Sequence, residues 1–200
     1  AWFEGGNLNA CYNCVDRHVE AGHGDATAII WEGNDPNESR SFTYAELHAG
    51  VQRAANALKA LGVGKGDRVC IYLQMVPELA IAMLACARIG AVHSIVFGAF
   101  SADSLVSRIN DSACKLIITQ DTGVRGTRSD IPMKVNADAA VTQTPSVEHI
   151  LVVRRTGGAV AMEAGRDVWW HDALGAAGAE CAPEAMDAED PLFILYTSGS

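Results

Sequence analysis

The end of the sequence combines three hydroxyl side chains and a glycine directly after an apolar run. The run covers residues 192–196, and Thr197, Ser198, Gly199 and Ser200 follow it. Hydroxyl groups donate hydrogen bonds to anionic oxygens, and glycine permits backbone conformations that point several N–H groups at one anion. The stretch therefore fits part of a phosphate-binding loop, although it has no lysine as a GxxxxGK[ST] loop would. On these residues alone, a solvated polar chain end is the more frequent alternative.

A second candidate site is the stretch GVRGTR, in which Gly126 and Thr127 separate Arg125 from Arg128. Two planar guanidinium groups can converge on one phosphate group, for which arginine is better suited than lysine. The stretch follows a predicted strand at residues 115–119, and ligands of α/β proteins bind beyond the carboxyl ends of strands. A surface loop with two solvated arginines is the alternative, and the residue types alone favour it.

The six cysteines of the chain are scattered, and most lie inside apolar runs, where a free thiol packs as a small hydrophobic side chain. This usage favours a reducing, cytoplasmic environment. Cys11 and Cys14, followed by His18 at helical spacing, have the CxxC spacing of metal and redox sites. No second pair follows at matching spacing and no strand precedes the motif. Helix packing is therefore the preferred interpretation, and no metal site is predicted.

Other polar and aromatic residues are interpreted as structural. Trp169 and Trp170 are predicted to enter a helix and pack in the core, and His93 is predicted to be a hydrogen-bonded buried histidine. His171 and Asp172 mark the start of a helix. The acidic residues before the chain end are predicted to form a solvated connection; they are Glu184, Asp187, Glu189 and Asp190.

The bulk composition limits the function classes. With 200 residues, 49% hydrophobic and 20% charged, the chain can bury the core of a soluble globular domain. A formal net charge of -9 argues against a general nucleic-acid binder and against a protein of anionic membrane surfaces. The longest apolar stretch, residues 80–100, contains Arg88, Gly90 and His93, and is predicted to be buried core. The chain has no initiator methionine and no signal peptide, and we expect a fragment of a longer protein.

Alternating β-rich and helical patterns predict an α/β fold with a largely parallel sheet that helices cover on both faces. Thr43 and Glu46 have the spacing of a capping box, and Gly62 is expected to end the helix that follows. Surface connections are expected at residues 32–41, 157–165 and 173–190. Helices are expected at residues 7–23, 43–62, 77–89 and 101–113, and strands at 26–31, 68–73, 91–97, 115–119, 148–154 and 192–196.

Five stretches resemble, in the same order, the AMP-forming acyl-CoA synthetases of the adenylate-forming superfamily, and most fully the acetyl-coenzyme A synthetase family. The resemblance covers nearly the whole chain. It implies that residues 1–41 form the N-terminal helical segment of that family and residues 42–200 the first part of its AMP-binding domain, truncated at the phosphate loop. The five stretches are WFEGGNLNACYNCVDRH, TAIIWEG, MLACARIGAVHSIVFGAFS, AGRDVWWHD and EAMDAEDPLFILYTSGS.

The resemblance implies a ligase that activates acetate with ATP to acetyl-AMP and pyrophosphate, assisted by Mg²⁺, and then transfers the acetyl group to coenzyme A. It assigns ATP phosphate binding to Thr197, Ser198, Gly199 and Ser200. It assigns coenzyme A binding to Arg125, Gly126, Thr127 and Arg128, with Thr127 where the family typically has a second glycine. The acyl pocket, hinge and catalytic lysine of the family lie beyond this sequence, so no catalytic residue is predicted and the fragment alone is expected to be inactive.

Two alternatives stay open. The first is a propionyl- or acetoacetyl-CoA synthetase of the same class. The second is a non-catalytic nucleotide-binding α/β module such as a dinucleotide-binding domain, which should carry GxGxxG between its first strand and helix. Gly62, Gly64 and Gly66 have the wrong spacing and precede a strand. Small molecules are the expected partners, without nucleic acid or membrane, and the sequence makes no prediction of oligomeric state.

Overall fold

The computed structural model of the chain describes residues 3–197. In chain order its strands are β1 (Asn7–Leu8), β2 (Thr27–Glu32), β3 (Ser39–Thr43), β4 (Arg68–Leu73), β5 (Val92–Phe97), β6 (Leu116–Gln120), β7 (Gly123–Arg125), β8 (Arg128–Ile131), β9 (His149–Val153), β10 (Asp167–Trp169), β11 (Met186–Asp187) and β12 (Phe193–Ile194). Its α-helices are α1 (Tyr44–Ala60), α2 (Pro77–Arg88), α3 (Ala102–Ser112), α4 (Met133–Val141) and α5 (Trp170–Ala176).

Six strands form one sheet in the order β10-β9-β6-β4-β5-β12, and every pair in it is parallel. The predicted α/β fold with a parallel sheet is therefore confirmed. From β4 the chain passes to β5 on one side and then returns to β6 on the other side. The order of connections thus reverses between β4 and β6, and this is the position at which open α/β sheets bind ligands, beyond the carboxyl ends of the strands.

Helices cover both faces of the sheet, and successive residues of the central strands β4, β6 and β9 alternate between two hydrophobic cores. In β4, Ile71 packs into the core beneath α1, α2 and α5, while Tyr72 packs into the core beneath α3 and α4. Each fully buried aliphatic side chain contributes about 1.5–3 kcal/mol relative to exposure. The sheet is therefore a rigid platform between two packed layers.

The clearest predicted helix, α1, has the predicted ends. The Thr43 side chain accepts a hydrogen bond from the Glu46 backbone N–H at 3.2 Å, and the Glu46 carboxylate accepts from the Thr43 N–H at 2.8 Å. Gly62 follows the last turn with φ +80°, a conformation that glycine adopts without steric cost. Pro77 occupies the first turn of α2, as predicted.

The N-terminal helix starts later than predicted, because Asn7 and Leu8 form β1 and pair with β11. The helical region then contains two π-helical segments, Tyr12–Asp16 and Val19–His23. The Asn9 side chain explains the later start. Its oxygen accepts from the Tyr12 N–H at 3.2 Å, and its amide donates to backbone oxygens of α2 and of residue 184.

Further differences from the predicted elements concern short elements. Residues 173–190 are not entirely connection, because α5 extends to Ala176 and β11 lies at Met186–Asp187. Helix α4, strands β3 and β10 and the antiparallel pair β7–β8 were not predicted. The connection expected at residues 32–41 is shorter, because residues 39–41 belong to β3 and pair with β2, so that the turn covers residues 33–38. None of the helices in residues 3–197 is both long enough and apolar enough to cross a lipid bilayer.

Candidate functional site

A cleft of about 620 Å³ opens at the carboxyl edge of the parallel sheet. It lies where the chain leaves β4 and β6, at the reversal of strand order described above. The end of β2 and the β7–β8 hairpin form its outer walls. The lining residues are Trp31, Glu32, Gly33, Asn34, Gln74, Met75, Val76, Phe97, Gly98, Ala99, Val124, Arg125, Arg128, Ile131, Pro132 and Arg155.

The structure brings the two predicted arginines together. Arg125 and Arg128 are register partners at the end of the β7–β8 hairpin, and both line the cleft. Gly126 has φ +60° and Thr127 does not have positive φ. This is the φ pattern of a type II′ turn, in which the first central residue is glycine and the second is unrestricted. Thr127 is therefore compatible with the turn. The predicted loop is in fact a β-hairpin, and the Gly-Thr dipeptide is the sequence signal for its turn.

The three arginines of the cleft differ in their partners. Arg128 Nε donates to the Asp130 carboxylate at 3.0 Å, and this hydrogen bond and charge lower the pKa of Asp130. Arg155 forms a bidentate pair with Glu38, with N···O distances of 2.5 and 2.7 Å. Within residues 3–197, the exposed Arg125 guanidinium has no hydrogen-bonding or ionic partner. Arg125 is thus the cation most available to an anionic ligand.

A network of side-chain amides fixes the hairpin to the sheet. Gln74 follows β4, and its side chain donates to the Val124 carbonyl at 3.0 Å and accepts from the Val124 N–H at 2.8 Å. Gln120, the buried last residue of β6, donates to Gln74 Oε1 at 3.2 Å and accepts from the Gln74 backbone N–H at 3.0 Å. The sequence analysis missed both glutamines. Polar residues directly after two buried strands were the available signal.

A buried carboxylate orders the loop after β9. Asp121 is fully buried, and it accepts hydrogen bonds from the backbone N–H groups of Thr122, Arg155, Thr156 and Gly157 at 2.7–3.3 Å. Hydrogen bonds from backbone N–H groups can stabilise a buried carboxylate that has no cation beside it. Asp121 therefore holds the start of this loop, including Arg155, against the edge of the cleft.

Three contacts join the end of β2 and the turn that follows it to the rest of the cleft. Asn34 Nδ2 donates to the Gly126 carbonyl at 2.6 Å, and Trp31 Nε1 donates to the Met75 carbonyl at 2.7 Å. The Arg155 guanidinium lies 5.2 Å from the centre of the Trp31 ring, within range of a cation–π interaction. The turn is thereby fixed to both the hairpin and the sheet.

The predicted phosphate loop is described only at its first residue. Thr197 is exposed and follows β12, which pairs with β5 at the edge of the sheet. Ser198, Gly199 and Ser200 lie outside the described residues. The Tyr196 hydroxyl donates to the Asp111 carboxylate at 2.5 Å, and burial together with this hydrogen bond raises the pKa of Tyr196 to about 12.

His93 is buried as predicted, but the prediction that its ring nitrogens are hydrogen-bonded is wrong in part. Its Nδ1 has no hydrogen-bond partner among residues 3–197, and its ring stacks on Phe193 with 5.7 Å between centroids. Burial lowers the pKa of His93 to about 4. The histidine is therefore neutral near pH 7.

The two cysteines of the CxxC motif lie in different environments. Cys11 is fully buried against Arg88, and Cys14 is exposed. Burial raises the pKa of Cys11 to about 11, so its thiol is protonated near neutral pH. No group of three or more His, Cys, Asp or Glu side chains in residues 3–197 is arranged to hold a metal ion.

The remaining structural predictions hold only in part. Trp170 is buried and begins α5 as predicted, whereas Trp169 ends β10, is half-buried and stacks with Arg154. His171 and Asp172 lie in the first turn of the same helix. Asp190 pairs with Lys65 at 3.0 Å, so the acidic connection is anchored at this point.

The cleft has the chemistry of a site for an organic phosphate. Exposed arginines supply positive charge for a phosphate group, and Met75 and Phe97 supply exposed apolar surface beside them. Because the chain as a whole has a net charge of -9, attraction of an anion depends on the local positive charge of these arginines.

Comparisons with known proteins agree with this architecture. An "Acetyl-coenzyme A synthetase" of Halorhodospira halophila is 63% identical over 199 residues, which are 100% of this chain and 30% of that protein. A protein of the same name from Nostoc linckia is 61% identical over 199 residues, which are 58% of its length. The crystal structure of a Brucella canis acyl-CoA synthetase superposes with a TM-score of 0.78 at 25% identity, covering 97% of this chain and 32% of that one.

The chain thus spans about a third or less of the length of most of these relatives. The family described as "AMP-binding enzyme" matches residues 15–200, which include the whole sheet and the cleft at its edge. The chain therefore belongs to the AMP-binding enzyme family.

Proposed function

We propose that this chain is the N-terminal part of an AMP-forming acetate–CoA ligase. The reaction would convert acetate and ATP to acetyl-AMP and pyrophosphate, and then acetyl-AMP and coenzyme A to acetyl-CoA and AMP. The observation that carries the proposal is the identity of about 60% over the entire chain to proteins named acetyl-coenzyme A synthetase. A propionyl- or acetoacetyl-CoA synthetase is the alternative within the class.

The cleft supports a role in binding coenzyme A. Arg125 and Arg128 would contact the phosphate groups of its nucleotide portion, with Gly126 and Thr127 forming the turn between them. Guanidinium groups bind phosphate in a bidentate manner, and Arg125 is available for such an interaction. The ligand would thereby be held at the edge of the sheet while its thiol reaches the acyl-adenylate.

The chain end supports a role in binding ATP. Thr197, Ser198, Gly199 and Ser200 would contact the ATP phosphates through hydroxyl and backbone N–H groups. Charge develops on the departing pyrophosphate during adenylation, so donors that are fixed in position stabilise the transition state. We assign no catalytic residue within this chain.

We further propose that ATP acts as its Mg²⁺ complex, in which the cation neutralises phosphate charge. Residues 3–197 contain no cluster of acidic, histidine or cysteine ligands for a resident metal ion. We therefore treat Mg²⁺ as a component of the nucleotide substrate and derive no step through it.

A cytoplasmic location and small-molecule partners complete the proposal. All six cysteines are free thiols in the structure, as a reducing compartment permits. The acidic net charge does not suit binding of nucleic acid or of an anionic membrane surface.

The test uses the complete gene product that carries this chain. We expect acetate-dependent exchange of pyrophosphate into ATP without coenzyme A, and release of AMP and acetyl-CoA after coenzyme A is added. Acetate should give a higher kcat/KM than propionate or acetoacetate. Exchange that no carboxylate stimulates would contradict the ligase proposal, while preference for another acid would contradict only acetate as the substrate.

A further inference from the structure

We propose that Gln74 is a positioning residue for coenzyme A binding. Its side chain holds the Arg125–Arg128 turn in the position from which the two guanidinium groups can contact phosphate. The proposal rests on the function proposed above for these two arginines. Gln74 belongs to β4's carboxyl end rather than to the hairpin, so its effect on the ligand would be indirect.

The hairpin is irregular where Gln74 contacts it. Gly123 pairs with Ile131 and Arg125 pairs with Arg128, and the register shifts between these two pairs. Val124, which lies at the shift, has both its backbone N–H and its carbonyl hydrogen-bonded to the Gln74 side-chain amide, at 2.8 and 3.0 Å. The amide thus supplies the two hydrogen bonds that a regular neighbouring strand would supply.

Gln74 is itself held in one orientation. Gln120 contacts both its backbone N–H and its Oε1, and Gln120 Nε2 also donates to the Thr122 carbonyl at 2.9 Å. Gln120 is fully buried at the carboxyl end of β6. A continuous set of amide hydrogen bonds therefore joins β4, β6 and the residue next to Arg125.

Two glycines leave room for this arrangement. A Cβ atom at Gly123 would lie 3.0 Å from the Cδ, Oε1 and Nε2 atoms of Gln74, and a Cβ atom at Gly98 would lie 3.0 Å from Gln74 Cγ. Contacts this short are closer than normal van der Waals packing. The fit between Gln74 and the hairpin is therefore tight, and larger side chains at these positions would displace it.

The tight fit has a specific consequence for binding. Arg125 and Arg128 lie at the tip of a short hairpin that is exposed from Arg125 onward. Gln74 holds the hairpin at Val124, and Asn34 holds its tip at the Gly126 carbonyl. Fixing a hairpin before a ligand binds lowers the conformational entropy that is lost on binding. Thr197 follows β12, a different strand, so the ATP-dependent half-reaction should not depend on Gln74.

The test is the variant Gln74→Met in the complete gene product. Methionine has a similar length but makes neither hydrogen bond to Val124, and we expect the KM for coenzyme A to rise roughly tenfold. Acetate-dependent pyrophosphate exchange and kcat at saturating coenzyme A should stay within about twofold of wild type. The matched control is Gln52→Met, because Gln52 is also half-buried and accepts a hydrogen bond from the Cys181 N–H, and neither residue lines the cleft.

An unchanged KM for coenzyme A in Gln74→Met would overturn the proposal. An equal fall in the rates of both half-reactions would overturn it as well. If Gln74→Met does not fold, Gly123→Ala decides the question by the same criteria, because its added Cβ pushes on the Gln74 amide. Arg125→Ala separates the two proposals. If Arg125→Ala raises the KM for coenzyme A and neither Gln74→Met nor Gly123→Ala does, only the positioning role fails.

Discussion

At the scale of single residues, the arginines of this chain have two different environments. Arg125 is exposed without an ionic partner in the described part of the chain, whereas Arg88 is 2% exposed and forms two hydrogen bonds of 2.8 Å with Asp16. A buried guanidinium needs such partners because desolvation of an unpaired charge is costly. The first arrangement suits ligand binding, and the second fixes the N-terminal helix to α2.

Loss of the Asp16 carboxylate should destabilise the fold strongly. Burial opposes ionisation of Asp16, but the hydrogen bonds and charge of Arg88, together with His48, lower its pKa. Asp16→Asn leaves the Arg88 charge buried without its counter-ion, and we expect the free energy of unfolding in urea to fall by about 3–5 kcal/mol. Glu78→Gln is the control, since its pair with the exposed Arg40 is 4.0 Å long and worth under about 1 kcal/mol. Equal effects of the two substitutions would refute this interpretation.

His93 should make stability depend on pH. Its pKa is about 4 in the folded state, below the usual 6.5, because burial disfavours the charged ring. The unfolded chain therefore binds more protons between these values, so stability is full above about pH 6.5 and falls as the pH drops to 4, by up to about 3 kcal/mol. His93→Gln should flatten urea-unfolding stability over this range, while His171→Gln, at an exposed site, should not. A slope that persists in His93→Gln would assign the pH dependence to other groups.

At the scale of elements, the sequence patterns predicted the helices and strands that have strong hydrophobic periodicity or a clear capping signal. The capping box of Thr43 and Glu46 and the apolar strands at 68–73 and 115–119 correspond closely to α1, β4 and β6. Short elements were missed, because β7 and β8 have only three and four residues and lack apolar alternation. The start of the N-terminal helix was misplaced, since β1 exists only through its pairing with β11 about 180 residues later.

The candidate site was also predictable only in part. Arg125 and Arg128 could be found because their residue types and spacing are unusual. The contributions of Gln74, Gln120, Asp121 and Arg155 were not predicted. A polar residue after a buried strand is only a weak signal, and these residues come from three different strand ends that meet only in the folded sheet.

The hairpin turn should require glycine at its first central position only. Gly126 has φ +60°, and a residue with a Cβ atom at such a φ costs roughly 1–2 kcal/mol. Gly126→Ala should therefore displace the turn and raise the KM for coenzyme A several-fold, whereas Thr127→Gly should change it less than twofold. Steady-state kinetics with varied coenzyme A measure both. A greater effect of Thr127→Gly would show that the turn is not of this type.

At the scale of the whole molecule, the sheet has an apolar edge at β12. Phe193 is 53% exposed and Leu195 is 64% exposed, and β12 pairs on one side only among the described strands. Unpaired strand edges with exposed apolar side chains promote association. The relatives that this chain matches along about 30% of their length carry much additional sequence.

The 200-residue chain by itself should be inactive and poorly soluble. We expect no acetate-dependent pyrophosphate exchange from the isolated chain, and concentration-dependent self-association in light scattering. Substituting the exposed Leu195 by Lys should reduce this association, whereas Val135→Lys, at an exposed position on α4, should not. Exchange activity of the isolated chain would contradict the expectation of inactivity.

If the proposed function is right, the cleft at the carboxyl edge of the sheet binds coenzyme A and not ATP. The most direct measurement compares the two half-reactions of the complete gene product with the double variant Arg125→Ala, Arg128→Ala. Loss of two charge-assisted contacts predicts a KM for coenzyme A that is raised roughly a hundredfold or more, with acetate-dependent pyrophosphate exchange within about twofold of wild type. An equal loss of both half-reactions, or an unchanged KM for coenzyme A, would contradict the claim.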